Sequence, residues 1–371
     1  MPLVKNRVLL ACAGGGKTSQ LVDEAVARAP ARVLIVTYTV ENAEQIRKYL
    51  EQRRGAVPAH IAVSTWFRWL LHDCVRPYQC SVVGGRRVRT ILFSDNAPPQ
   101  YVRRSDGAPF YLAGDALYRD RVTDFACHAN ELSGGRVVKR LEQLYDDVMI
   151  DEVQDLVGWD LELLDLLFSS KIAVWAVGDP RQAILQTSFG LKNKQFAGGG
   201  IVNWFQARGA KGILDLAHGT ECHRSNQTIC DLAGVLFPTY PKIESRNPTI
   251  TGHDGIFLVK PSDLAAYCRL YGPKVLRYNK SADTHGMVAA NIGTAKGRTY
   301  ARTLIIPTSK MLAFLRTGDA KKAGDVEKLY VAVTRARHSV AFVVPAGFKA
   351  VLGEMWVDSG VQVQAAPAAV V

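Results

Sequence analysis

The chain has 371 residues, 48% of them hydrophobic and 22% charged, with a formal net charge of +12. That is apolar material for about two domains, and the absence of any run of 18 or more apolar residues argues against a membrane-spanning helix. The seven cysteines are odd in number and form no CxxC pair, which supports neither a disulfide framework nor a zinc module and points to a reducing, cytoplasmic setting, while the positive balance favours a polyanionic partner.

Val8-Leu9-Leu10-Ala11 reads as a strand that starts too soon after Met1 to follow a signal peptide. It enters Cys12-Ala13-Gly14-Gly15-Gly16-Lys17-Thr18-Ser19 and then a helix over 20–28. Strand, glycine loop and helix together form a phosphate cradle. Glycines let the backbone N–H groups of 13–19 converge on phosphate oxygens, and the helix N-terminus adds partial positive charge. Lys17 is then the residue that reaches the β- and γ-phosphates, and the Thr18 hydroxyl a magnesium ligand. ATP and Mg2+ are the expected cofactors. The loop departs from the strict pattern only at Ala11, where a glycine would stand.

Arg32-Val33-Leu34-Ile35-Val36 is a second strand, followed by Thr37-Tyr38-Thr39 and a helix through Leu50; Ile61-Ala62-Val63-Ser64-Thr65 repeats the design and leads into Trp66. Hydroxyls and rings at a sheet edge can line a nucleic-acid track, or simply end β-prone strands. Tyr38, Thr39, Ser64, Thr65 and Trp66 are the candidates, whereas the aromatic cluster that follows reads as helix core. From 76 to 145 the chain turns polar and basic, with Gly84-Gly85-Arg86-Arg87, Arg103-Arg104 and Gly134-Gly135-Arg136. This looks like an insertion whose arginines hold a phosphate backbone or form a solvated basic surface.

Val148-Met149-Ile150 is a buried strand, and Asp151-Glu152-Val153-Gln154-Asp155 follows it. Adjacent carboxylates at a strand mouth repel each other and call for a cation, with magnesium and Asp151 the natural pair. After a helix over 160–168, Ile172-Ala173-Val174-Trp175-Ala176-Val177 is another buried strand, ending in Gly178-Asp179-Pro180-Arg181-Gln182. Gln182, beside the phosphate loop, can sense a γ-phosphate through a neutral hydrogen bond.

The segments ACAGGGKT, IVTYT, VSTWF, DEVQD and VGDPRQAI occur here in the order and spacing of the ATPase core of UvrD/Rep-like superfamily 1 helicases, which the chain resembles from about residue 8 to residue 343. His223-Arg224-Ser225-Asn226 is similar to the family's arginine motif, Gly293-Thr294-Ala295-Lys296-Gly297 to its HxxKG motif, and Leu329-Tyr330-Val331-Ala332-Val333-Thr334-Arg335-Ala336-Arg337 to its LYVAxTRAR motif. The resemblance implies an α/β fold of two RecA-like P-loop NTPase domains, parallel sheets flanked by helices, with a short insertion in the first. Residues 1–75 and 146–205 would form the first domain, 76–145 the insertion and 206–358 the second domain, with a disordered tail over 359–371.

By that resemblance Glu152 orients or deprotonates the attacking water, Arg224 and Arg335 act on the γ-phosphoryl group from the second domain, and His223 and Gly297 hold the nucleotide. Thr294 would contact the nucleic acid, and Phe189 would stand in for the family's stacking tryptophan. The implied activity is ATP-dependent translocation along single-stranded DNA, 3′ to 5′, with duplex unwinding, by a monomer without membrane attachment. RNA is the alternative strand. A nucleotide-gated DNA-sensing switch that controls a partner such as a nuclease is the alternative function. His223 stands where relatives stack a tyrosine on adenine, Thr299 replaces a glutamate, and the upstream adenine-reading glutamine is expected to be missing. Only about seventy residues separate the arginine motif from Lys296, so the large accessory subdomain of relatives is expected to be absent there and 247–291 is expected to complete the second sheet.

Overall fold

The computed structural model describes residues 6–93, 101–188 and 190–357. Phe189 and the expected tail over 359–371 lie outside them. In chain order the strands are β1 Asn6–Ala11, β2 Val33–Thr37, β3 Ile61–Thr65, β4 Thr90–Leu92, β5 Leu112–Ala113, β6 Ala116–Tyr118, β7 Asp147–Ile150, β8 Ala173–Gly178, β9 Leu214–Gly219, β10 Glu221–Cys222, β11 Glu244–Ser245, β12 Gly255–Val259, β13 Lys274–Arg277, β14 Ala290–Asn291, β15 Tyr300–Ile306, β16 Ala336–Val343 and β17 Glu354–Met355. The chain divides into two units, one of residues 1–11 and 16–219, the other of 12–15 and 220–371.

The first unit is built on a six-stranded sheet of order β3-β2-β7-β8-β1-β9, parallel at every pairing. Parallel strands are buried on both faces, and β2 and β7 read accordingly as continuous apolar runs. Because all six run the same way, the loops after β1, β2, β3, β7 and β8 leave from one edge, where α/β sheets bind ligands. Helices Lys17–Ala27, Val40–Arg54 and Trp159–Phe168 are the crossovers.

The insertion is a small three-stranded sheet, β4-β6-β5, with helices Val122–Leu132 and Arg136–Leu144. It is no separate lobe: Val82, Tyr111, Leu117, Val122 and Phe125 share one apolar core with Leu34, Val148 and Val174 of the main sheet. The first unit also runs past the expected end at 205, because β9 pairs in parallel with β1 from Asn6↔Leu214 to Ala11↔Gly219.

The second unit holds a six-stranded sheet of order β14-β13-β15-β16-β12-β17, again parallel throughout. Segment 247–291 does supply strands to it, β12 to β14. Its central strand β15, with Thr303, Leu304 and Ile305 fully buried, was not anticipated. Both units are thus parallel α/β sheets, as the expected fold class requires. Among the described residues no helix is long and apolar enough to cross a membrane.

Candidate nucleotide site and strand edge

β1 ends at Ala11, and the loop turns through Gly14 and Gly16 at φ 76° and 72°, a left-handed conformation that a side chain would strain. The helix Lys17–Ala27 opens with no side-chain cap and no acidic residue in its first turn, so its N-terminal field is left for an anion. Lys17 is buried at 9% exposure and donates its Nζ to the Ala11 carbonyl at 3.0 Å. Ser19 is half-buried in the same turn. Residues 12–15 group with the second unit, where the Gly14 carbonyl accepts from the His223 N–H at 2.9 Å and the Ala13 N–H donates to the Tyr330 hydroxyl at 3.2 Å. Gly15 closes the turn on the Cys12 carbonyl at 3.1 Å.

Asp151 follows β7 and is 5% exposed. It accepts the Thr18 hydroxyl at 3.0 Å and the Glu152 N–H at 3.0 Å. Burial and the neighbouring Glu152 charge push its carboxyl up to about 7, against the Thr18 hydrogen bond and the positive Lys17. A carboxylate held so far from its preference lacks positive charge. The Thr18 and Asp151 oxygens are spaced as two neighbouring ligands of an octahedral ion with bonds of about 2.0–2.1 Å would be, so this pair fits magnesium with phosphate and water completing the shell. Among the described residues no cluster of three or more His, Cys, Asp or Glu forms a richer metal site.

Glu152 sits at φ 59°, one of three non-glycine residues with positive φ among those described. Such strain persists where the surroundings over-determine it. Here the Gln154 amide N–H donates to Glu152 Oε2, while Gln154 Oε1 accepts the Asp179 N–H at 3.0 Å. Asp179, fully buried, in turn accepts Gln182 Nε2 at 3.0 Å and Arg181 Nε at 2.8 Å. Burial works against the Asp179 carboxylate, but Arg181, Lys17 and these hydrogen bonds outweigh it and hold its pKa below the ordinary value. A continuous hydrogen-bonded path thus runs from Glu152 through Gln154 and Asp179 to Gln182. Gln154 and Asp179 were in plain sight inside DEVQD and GDPRQ, and their spacing carried no sign of this link.

In the second unit, Arg224 Nη1 donates to the Thr334 carbonyl at 3.0 Å, and Arg335 Nη2 to the Thr334 hydroxyl at 3.4 Å. Ser225 and Asn226 fasten the arginine motif to β16 through the Ala336 and His338 carbonyls at 2.6 and 2.7 Å. Both arginines are therefore fixed against one residue. Arg335 is 1% exposed and also donates to the Val331 and Arg298 carbonyls at 3.2 Å each. His223 is exposed, Gly297 turns at φ 81°, and Thr294 is exposed with its hydroxyl on the Asn291 carbonyl at 2.8 Å.

At the β2–β3 edge, Thr37 pairs with Thr65 and Val36 with Ser64, so Tyr38, Thr39, Ser64 and Thr65 leave adjacent strands side by side. All four are half-buried. Thr39 caps its helix by accepting the Asn42 N–H at 3.1 Å, and Ser64 donates to the Thr65 carbonyl at 3.3 Å. Trp66 is corrected: at 1% exposure it lies in the core, its ring 5.1 Å from Trp69 and its indole N–H donated to Asp160 at 3.0 Å. The helix that starts at Trp66 turns its first side chain inward. The exposed ring at this edge is Phe93, 62% accessible and 5.3 Å edge-on to Phe67, which in turn lies 6.0 Å from Tyr38. Its only signal in the sequence was an aromatic ending a short run in the insertion.

Residues 119–186 match the UvrD/REP helicase N-terminal domain family. No curated protein is similar enough in sequence to match. Two solved structures of an Arterivirus protein are similar: nonstructural protein 10 (helicase), at 15% identity and TM-score 0.47, and its complex with DNA, at 15% identity and TM-score 0.46. Each covers 92% of this chain, and this chain covers 60% and 61% of theirs, so it spans about three fifths of their length. Likeness of that degree bears on neither reaction nor substrate.

Proposed function

We infer that this chain, a superfamily 1 helicase of the UvrD/REP kind, is an ATP- and magnesium-dependent translocase that moves 3′ to 5′ along single-stranded DNA and opens duplex ahead of it. The observation that carries the reading is the hydrogen-bonded path at the sheet edge: Thr18 on Asp151 at 3.0 Å, the Glu152 N–H on Asp151, Gln154 on Glu152, the Asp179 N–H on Gln154, and Gln182 on Asp179.

Magnesium, when bound to Thr18 and Asp151, supplies positive charge to the phosphate oxygens. The residues do the rest. Lys17 exchanges the Ala11 carbonyl for phosphate oxygens. Glu152, aimed by its left-handed backbone and by Gln154, orients the attacking water and accepts its proton at a carboxylate oxygen. Gln182 gives up Asp179 to hydrogen-bond the γ-phosphate, and Arg224 and Arg335 stabilise the charge that builds there. Dependence of hydrolysis on strand engagement is what turns the reaction into movement.

Directionality is tested by displacement of streptavidin from biotin placed at either end of an oligo-dT strand. Faster release from the 5′ end is expected, because a 3′-to-5′ motor runs toward it. Preferential release from the 3′ end would reverse the proposed polarity.

A further inference from the structure

We propose that Asp160 is a positioning residue that couples engagement of nucleic acid at the β2–β3 edge to the γ-phosphate sensor Gln182, an inference that rests on the translocase reading above. Asp160 lies in the first turn of the helix Trp159–Phe168 and is 1% exposed. Its two oxygens take four donors. Oδ1 accepts the Trp66 indole N–H at 3.0 Å and the Thr123 hydroxyl, and Oδ2 accepts the Val157 N–H at 3.1 Å and the Thr187 hydroxyl.

Each donor comes from a different segment. Trp66 begins the helix directly after Ser64 and Thr65, Val157 follows DEVQD, Thr187 follows Gln182, and Thr123 belongs to the insertion. The stretch 183–188 has no helix or strand of its own. Besides the Asp160 contact, it is held by the Thr187 N–H on the Asp155 carbonyl at 3.2 Å and by the Tyr38 hydroxyl on the Gln186 carbonyl at 3.2 Å. The chain leaving Gln182 is thus fastened directly to Tyr38 and, through Asp160, to the residue that follows Thr65. A displacement at the strand edge reaches residues 186–187 through the part-buried Tyr38 bond and the buried bonds of Asp160, where a low local dielectric makes each partner costly to lose. Asparagine fills the same space as aspartate but puts its amide N–H donors against either the Trp66 indole N–H or the Val157 N–H, neither of which can accept, so Asp160→Asn breaks the network without emptying the core.

The test compares basal and oligo-dT-stimulated ATP hydrolysis in the wild type, Asp160→Asn, Thr187→Val and the double variant, with thermal midpoints alongside. Asp160→Asn is expected to keep basal kcat and the KM for ATP within about two-fold while stimulation by the strand falls roughly 5- to 20-fold, the range of an ordinary coupling energy. Thr187→Val should lose part of the stimulation, and the double variant should fall no further than Asp160→Asn, because both act through one network. Undiminished stimulation in Asp160→Asn overturns the proposal, as does a loss of basal and stimulated rates in equal proportion. If Asp160→Asn does not fold, Thr187→Val carries the test, and full stimulation in it overturns the proposal. A wild type that ignores the strand is a different failure: the translocase reading falls, and this inference with it.

Discussion

The left-handed backbone of Glu152 does what a run of one-letter codes cannot announce: it aims one carboxylate of an adjacent pair away from the other. Asp151 turns to Thr18 and Glu152 to Gln154, a separation that suits the two different roles proposed for the pair. Glu152→Gln should therefore bind ATP as tightly as the wild type and lose hydrolysis by at least about 100-fold, since removal of a general base typically costs 10²–10⁴. Fluorescent-nucleotide titration and steady-state turnover check both halves; normal turnover in the variant would remove Glu152 from the reaction. Gly178 shows how closely the path is built, because a Cβ there would collide with Gln154 Oε1 and stand 3.0 Å from Val153 Cγ1. Gly178→Ala is expected to lower kcat by about 10- to 100-fold through misplacement of Gln154 and Glu152, with the KM for ATP little changed.

At the scale of elements, the sequence made legible what period and turn chemistry encode. The phosphate loop, the strand before DEVQD and the strand before GDPRQ stand where their apolar runs and glycines put them. β9 was missed because its residues Leu214-Asp215-Leu216-Ala217-His218-Gly219 include exposed polar positions and it is an edge strand; only its pairing with β1 makes it a strand. β15 was missed because its first residues continue a glycine-containing motif, which masked the run that follows. Trp66 was misplaced because an aromatic at a strand-to-helix junction can turn either way, and neighbouring helices decide which. Asn6 ties β1 to β8, to the helix Trp159–Phe168 and to the residue before β9: buried, it donates to the Phe168 and Ile213 carbonyls at 3.1 and 3.0 Å and accepts the Val174 N–H at 3.3 Å. Asn6→Ala should lower unfolding stability by about 2–4 kcal/mol, the cost of leaving such groups unpaired, as read from urea melts. In the second unit, His253 stacks between Phe257 and Tyr271 at 4.0 and 3.5 Å. Burial first, then Arg302, lower its pKa to about 4, against the pull of Asp254. Between about 4 and 6.5 the unfolded chain then binds the proton and the folded one does not, so stability is complete above this window and falls as pH drops through it. His253→Phe should flatten that slope, and an unchanged slope would acquit this residue.

At the scale of the whole molecule, the residues assigned to the proposed reaction come from both units. Lys17, Thr18, Asp151, Glu152 and Gln182 belong to one, and Arg224 and Arg335 to the other. The proposed function makes hydrolysis conditional on a bound strand, which is the central claim. The most direct measurement is steady-state ATP hydrolysis with and without oligo-dT, with Lys17→Ala as the control for contaminating activity. The account predicts strong stimulation of the wild type by the strand and no hydrolysis above background in Lys17→Ala. Hydrolysis that depends on Lys17 yet is indifferent to single-stranded DNA and RNA alike would contradict it.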